Sequence, residues 1–157
     1  MKRFVSYSSA IILLFIGTQG NAQVTTGGNM SVNYNNGYLV DISPIIGYKL
    51  NKFNFGFSPF FAYNQTNKAN FSSSFGARVF AQFTVVNGIF LHAEIEAINA
   101  KVNLVRKWMI GLPVGIGYEY QIAKNTKAQG SILYDVLLDK DSPKENPEVR
   151  GGIVYTF

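Results

Sequence analysis

Between Thr25 and Phe157 apolar and polar side chains alternate at a period of two, stretch after stretch, with no convincing helical periodicity among them. Successive side chains of an extended strand point to opposite faces, so each stretch carries one greasy face and one more polar face. The closing residues, Glu148 to Phe157, show the pattern clearly. Val149, Gly151, Ile153, Tyr155 and Phe157 share one parity, while Arg150, Gly152, Val154 and Thr156 share the other. Chain ends fray unless they are tied down, so a Tyr-x-Phe on the apolar face implies an end paired into a sheet and set in apolar surroundings.

Eight strands account for the alternation. The first, Thr25 to Tyr34, sets Met30, Val32 and Tyr34 against Asn29, Ser31 and Asn33, and Asn36-Gly37 follows as a hairpin turn because both residues tolerate positive φ. The second, Tyr38 to Lys49, brackets Val40, Ile42, Pro44 and Ile46 with Tyr38 and Tyr48. The third, Phe53 to Asn64, opposes Phe53, Phe55, Phe57, Phe61 and Tyr63 to Asn54, Gly56, Ser58 and Asn64. The fourth runs from Phe71 to Val86, Asn87-Gly88 makes another hairpin turn, and the fifth runs from Ile89 to Ala100. The sixth, Lys107 to Ile122, encloses Ile110, Leu112, Val114 and Ile116 between Trp108 and the pair Tyr118 and Tyr120. The seventh is Lys127 to Asp139, and the eighth begins at Glu148. Aromatic residues at both ends of aliphatic strands suit the two interfaces of a membrane. So much phenylalanine on an outer face would be an aggregation hazard in water and is ordinary against lipid. Pro44, Pro59 and Pro113 each remove a ladder donor, and local bulges are expected there.

The start of the chain has a different composition. Lys2 and Arg3 precede an apolar run, Ala10 to Gly17, far shorter than the roughly 20 residues of a spanning helix. Gly20-Asn21-Ala22 then offers small residues for cleavage, so residues 1–22 read as a secretory signal peptide and residues 23–157 as one domain. Setting Lys2 and Arg3 aside leaves twelve of the 14 basic residues against 9 acidic ones, a bias of +3 that does not argue for nucleic acid. The absence of cysteine removes a lipoprotein anchor, a disulfide framework and thiolate metal sites. Charged residues make up 15% of the chain against the usual quarter, which leaves little to solubilise a surface this rich in aromatics.

The closing strand with Tyr155-x-Phe157 resembles that of bacterial outer-membrane β-barrels. The pattern as a whole resembles the small outer-membrane barrel proteins common in Bacteroidetes-type bacteria, with an architecture similar to OmpX and the OmpA membrane domain. A weak internal repeat is compatible with it: Ser43-Pro-Ile-Ile-Gly-Tyr48 is echoed by Ser58-Pro-Phe-Phe-Ala-Tyr63 and, more loosely, by Leu112-Pro-Val-Gly-Ile-Gly-Tyr118. The resemblance implies an all-β, eight-stranded antiparallel up-and-down transmembrane barrel, monomeric, in the bacterial outer membrane. It further implies contact with outer-membrane lipid and lipopolysaccharide, and a role for Tyr155 and Phe157 as the assembly signal read by the barrel-assembly machinery. An even strand number returns both ends to the periplasm. Eight strands also enclose only enough room for side chains, so no open pore is expected.

The inward parity collects Asp41, Arg78, His92, Glu94, Glu96, Glu119, Asp135 and Arg150. Charges at membrane depth must pair or meet water, so the plain reading is a lumen-filling network in which Arg78 and Arg150 neutralise several carboxylates. The sharper readings are a proton or ion path, or a catalytic cluster. His92 and Glu94 are two parts of a three-part hydrolase site, as in lipid A deacylase barrels, but the third part, a serine, is missing from their face of the strand. One histidine and no cysteine argue against a metal site, and no catalytic residue or cofactor is assigned. Lys68, Lys101, Arg106, Lys107, Lys140 and Lys144 gather at the outer end, where they either contact lipid headgroups or keep the loops solvated. The expected role is structural or surface-interacting. The alternatives are a lipid A-modifying barrel enzyme and a soluble lipocalin-like binder, whose apolar parity would face a cavity.

Overall fold

A computed structural model describes residues 22–34, 38–67, 70–102 and 105–157. The signal-peptide residues before Ala22, the Asn36-Gly37 turn and Lys68 lie outside the described residues. Nine strand segments follow one another: β1 (Ala22–Tyr34), β2 (Tyr38–Leu50), β3 (Phe53–Asn67), β4 (Asn70–Val86), β5 (Ile89–Val102), β6 (Val105–Gly111), β7 (Pro113–Ala123), β8 (Thr126–Asp135) and β9 (Glu148–Thr156). All pairings are antiparallel, and β9 pairs back onto β1 from Thr25↔Thr156 to Ser31↔Arg150. β6 and β7 both pair with β5, the first along Glu96–Val102 and the second along Ile89–Ala93, so they are two halves of one stave. The result is a closed, up-and-down barrel of eight staves. Closure satisfies the backbone groups that hydrocarbon could not.

The broken stave corrects the expectation of a continuous sixth strand. Pro113 has no N–H to continue the ladder, and the Leu112 N–H turns instead to the Asp135 carboxylate, 2.8 Å away. The seventh strand also ends earlier than its alternation suggests, at Asp135 and not Asp139. Asn146 explains the stop: its side chain accepts the Asp135 N–H at 2.7 Å and donates to the Asp135 carbonyl at 2.8 Å, occupying both backbone groups.

The expected bulges at Pro44 and Pro59 are absent, and the β2–β3 register is the same on both sides, Ile42↔Phe61 and Ile46↔Phe57. The two prolines stand opposite each other, so the missing donors fall at one place in one seam. Ser58 spans it, its hydroxyl donating to the Pro44 carbonyl at 2.8 Å.

The parity of the strands sorts the environment. Ile42, Ile46, Phe57, Phe61, Val79, Ile95, Ile110, Ile116, Ile132 and Ile153 are exposed around the outside, while the opposite parity fills the lumen. Leu39, Phe60, Ala62, Ile98, Ala100 and Met109 pack at the end away from the termini, a charged layer follows, and Ile45, Phe80 and Val154 lie below it. Three inward rings each face a glycine across a ladder: Phe60 and Gly76, Phe80 and Gly56, Phe90 and Gly117. A Cβ on Gly56 or Gly117 would stand 2.3 or 2.2 Å from the facing ring, so a narrow lumen accepts the phenylalanines because their partners have no side chain.

An arginine placed on the outer face tests this sorting. Val79→Arg, at an outward position in the middle of β4, is expected to destabilise the barrel by about 2–4 kcal/mol in urea refolding into lipid vesicles. Val79→Leu, measured alongside, should change little.

Candidate functional site

The charged layer is assembled by four staves and one connecting segment. Alternation points Asp41 of β2, Arg78 of β4, Glu94 and Glu96 of β5, and Glu148 and Arg150 of β9 inward, and all are buried. Arg78 is 1% exposed. Its Nε lies 2.5 Å from Glu96 and 3.6 Å from Glu94, its Nη2 pairs with Asp41, and its Nη1 donates to the Ser43 hydroxyl at 3.1 Å. Its guanidinium carbon sits 4.0 Å above the Phe60 ring. Arg150 grips Glu94 with two nitrogens, at 2.8 and 3.0 Å, and reaches Glu148 at 2.9 Å. Planar two-point pairing of this kind is the geometry arginine is suited to.

Lys144 completes the layer and corrects the rim assignment. It was expected at the outer end against lipid headgroups, but it is buried, with Nζ 2.5 Å from Glu96, 3.4 Å from Glu148 and 3.9 Å from Asp41. Arg78 alone offers one positive charge to Asp41 and Glu96 together, and the segment between β8 and β9 is long enough to fold in and supply a second. Burying an ion is expensive unless it is paired and hydrogen-bonded, and three cations against four carboxylates bring the layer near balance.

The other inward residues play separate parts. His92 is held at both ring nitrogens, Nδ1 to the Gln82 amide at 3.2 Å and Nε2 to Glu94 at 2.9 Å, and it stacks on Phe80 with 5.8 Å between centroids. No nitrogen remains to activate a serine, so the geometry does not assemble the hydrolase constellation. Asp135 faces inward but makes no ion pair among those described. It accepts the N–H groups of Leu112 and Leu137 and so serves the break in the sixth stave. Glu119 belongs to neither group: it lies at the end with the termini, 2.5 Å from Lys127 and 3.9 Å from Lys49. Among the described residues no group of three histidine, cysteine or acidic side chains is placed to hold a metal.

At the opposite end, Lys101, Arg106, Lys107 and Lys140 are exposed. Arg106 donates to Asn99 at 3.0 Å and lies 5.1 Å over Phe75, which meets Trp108 edge-on at 6.0 Å. Lys107 bridges Asp139 and Asp141 at 3.2 and 2.8 Å. Asp139 is thereby held below the ordinary carboxylate range, first by the Asp141 N–H and then by Lys107. Tyr155 and Phe157 project outward as an edge-on pair 4.9 Å apart, and the Phe157 N–H donates to the Val24 carbonyl at 2.9 Å.

Glu148, Gln82 and Ser43 are not among the candidate residues the sequence singles out, and Lys144 is singled out only for the rim. Glu148 shares the parity of Arg150, two residues on, and that signal was readable. Nothing in the charged, proline-containing stretch before it marks Lys144 as an inward residue.

Among solved structures, the N-terminal β-barrel domain of Pseudomonas aeruginosa OprF superposes with a TM-score of 0.56 at 16% identity, covering 88% of this chain and 98% of that one. The fold is that of the eight-stranded outer-membrane barrels. Neisserial surface protein A aligns at 16% identity over 87% of this chain and 97% of its own, with a TM-score of 0.47. No family model matches the sequence, and no curated protein matches it.

Removing one partner from the layer strands the others. Arg78→Leu is expected to destabilise the barrel by about 3–5 kcal/mol, because Asp41 and Glu96 lose their main counter-charge out of reach of water. Arg78→Lys should recover part of that. Urea midpoints of the refolded variants measure both, and a silent Arg78→Leu would mean that the lumen is wet enough to solvate these acids.

Proposed function

We propose that this chain is an integral outer-membrane barrel with a structural or surface-interaction role, held shut by its own side chains. The observation that carries the reading is the sorting of the two faces. Large apolar side chains ring the outside, from Ile42 on β2 to Ile153 on β9, while Arg78, Arg150 and Lys144 are paired and buried inside. A soluble binder of the lipocalin kind needs the reverse arrangement, with its apolar parity around a cavity. A lipid A-modifying enzyme needs a histidine free to act on a nucleophile, and both nitrogens of His92 are engaged.

In this reading the exposed arginine of the outer end touches lipid. Arg106, laid on Phe75 beside Trp108, combines a cation with an aromatic belt, which supports its assignment to lipopolysaccharide phosphate in this proposal. Lys101 and Lys140, both exposed, are its companions, whereas Lys107 is engaged with Asp139 and Asp141. Tyr155 and Phe157 form the outward aromatic pair that the barrel-assembly machinery would read on the closing strand.

Expression in a Gram-negative host tests the proposal. The protein should fractionate with the outer membrane and migrate faster on a gel before heating than after it. Recovery in the soluble periplasmic fraction would overturn it. Replacing Tyr155 and Phe157 by serine should lower the heat-modifiable population, and unchanged assembly would remove them as a signal.

A further inference from the structure

The end of the barrel that carries both termini contains a second charged site, separate from the sealed layer. A polar cavity of about 190 Å³ opens there between the mouth of the lumen and the β7–β8 turn, lined by Lys49, Lys124, Lys127, Gln23, Gln121 and Thr156. Alternation directs Lys49 of β2 and Lys127 of β8 inward, and both reach the same oxygen of Glu119, at 3.9 and 2.5 Å. Glu119 is the only acidic side chain at this end, since the other eight of the 9 lie in the charged layer, at the β8 terminus or in the connecting segment after it. Lys124 also lines the cavity, so three lysines share one acidic side chain.

The cavity is a blind vestibule. Above it Asn54 links Thr25 and Gln82, at 3.3 and 2.9 Å, and Gln82 continues to His92 beneath the Phe80 ring. The turn that forms its outer wall is fixed by the Gln121 amide, which donates to the Ala123 carbonyl and, at 2.9 Å, to the Lys124 carbonyl. At about 190 Å³ it has room for a tetrahedral anion with some of its hydration. Ammonium groups and a threonine hydroxyl supply donors, and strong hydrogen bonds form when such donors meet a charged oxygen.

We infer that this vestibule binds a phosphate-class oxyanion, held by Lys49, Lys127 and Lys124, with Glu119 as the internal competitor that sets its affinity. Two sources share that chemistry: a soluble phosphate or phosphate monoester, and the phosphodiester headgroup of a lipid in the adjoining leaflet. Glu119 makes the assignment testable with changes of opposite sign. Removing a lysine weakens an anion site, whereas removing the carboxylate frees both lysines and strengthens it. A merely solvated basic rim shows neither response in a saturable form.

The test uses the full barrel refolded in a non-ionic maltoside, with folding verified by heat-modifiable migration for every variant. Inorganic phosphate is titrated at constant ionic strength against chloride while the backbone amide resonances of residues 121–127 and 156 are followed. The expected result is a saturable shift with phosphate and none with chloride. It should be weakened about tenfold or more in Lys127→Gln and strengthened severalfold in Glu119→Gln. Repeating the measurement in nanodiscs of phosphatidylglycerol, against discs of an uncharged glycolipid, identifies the source. A shift produced by phosphatidylglycerol without added phosphate assigns the site to a headgroup, and a shift that needs added phosphate assigns it to a soluble anion. Unsaturable changes that chloride reproduces, or a saturable shift indifferent to both Lys127→Gln and Glu119→Gln, would overturn the inference.

Discussion

Arg78 is the side chain on which the interior depends. Its guanidinium joins Asp41 on β2 to Glu94 and Glu96 on β5 from its own place on β4, and rests on Phe60 of β3, so one residue ties four neighbouring staves across the lumen. Arg150 ties β9 to β5 by sharing Glu94, and it also pairs with Glu148 on its own strand. Ladders between adjacent strands close the wall, but they do not decide what fills it. In a barrel of eight staves the filling must be close-packed, and polar groups in it must find partners among themselves.

The irregular side of the barrel follows from that requirement. β8 stops at Asp135 and β9 starts at Glu148, and the segment between them brings Lys144 to Glu96 and Glu148. Asp135 and Asn146 secure the departure of the chain, and the break at Leu112 in the facing stave uses the same Asp135 carboxylate. A shortened pair of strands, a proline-interrupted neighbour and an inserted lysine are thus parts of one arrangement. Outside, the same staves present only apolar and aromatic side chains at mid-height, which is the arrangement hydrocarbon demands.

Much of this was legible in the sequence because a period of two fixes which residues share a face. The inward positions of Asp41, Arg78, Glu94, Glu96 and Arg150 follow from parity alone, as does the outward row of phenylalanines on β3. What parity cannot give is the path of a segment that is not a strand, and Lys144 sits in one. Nor can it give which carboxylate an arginine selects: Glu119 and Asp135 share the inward face with Glu94, yet one serves lysines at the mouth and the other serves backbone donors. The prolines divide for a related reason. Pro113 interrupts its stave as a missing donor should, whereas the effect of Pro44 and Pro59 depends on their meeting across one seam, which a single strand does not show.

In the proposed membrane setting the apolar parity faces lipid, and the chain's single tryptophan reports on that directly. Trp108 is 59% exposed on the outer face of β6. In the barrel reconstituted into vesicles whose acyl chains carry bromine, its fluorescence should be strongly quenched by the lipid and protected from aqueous iodide. Quenching by iodide without quenching by brominated lipid would place Trp108 in water and contradict the account.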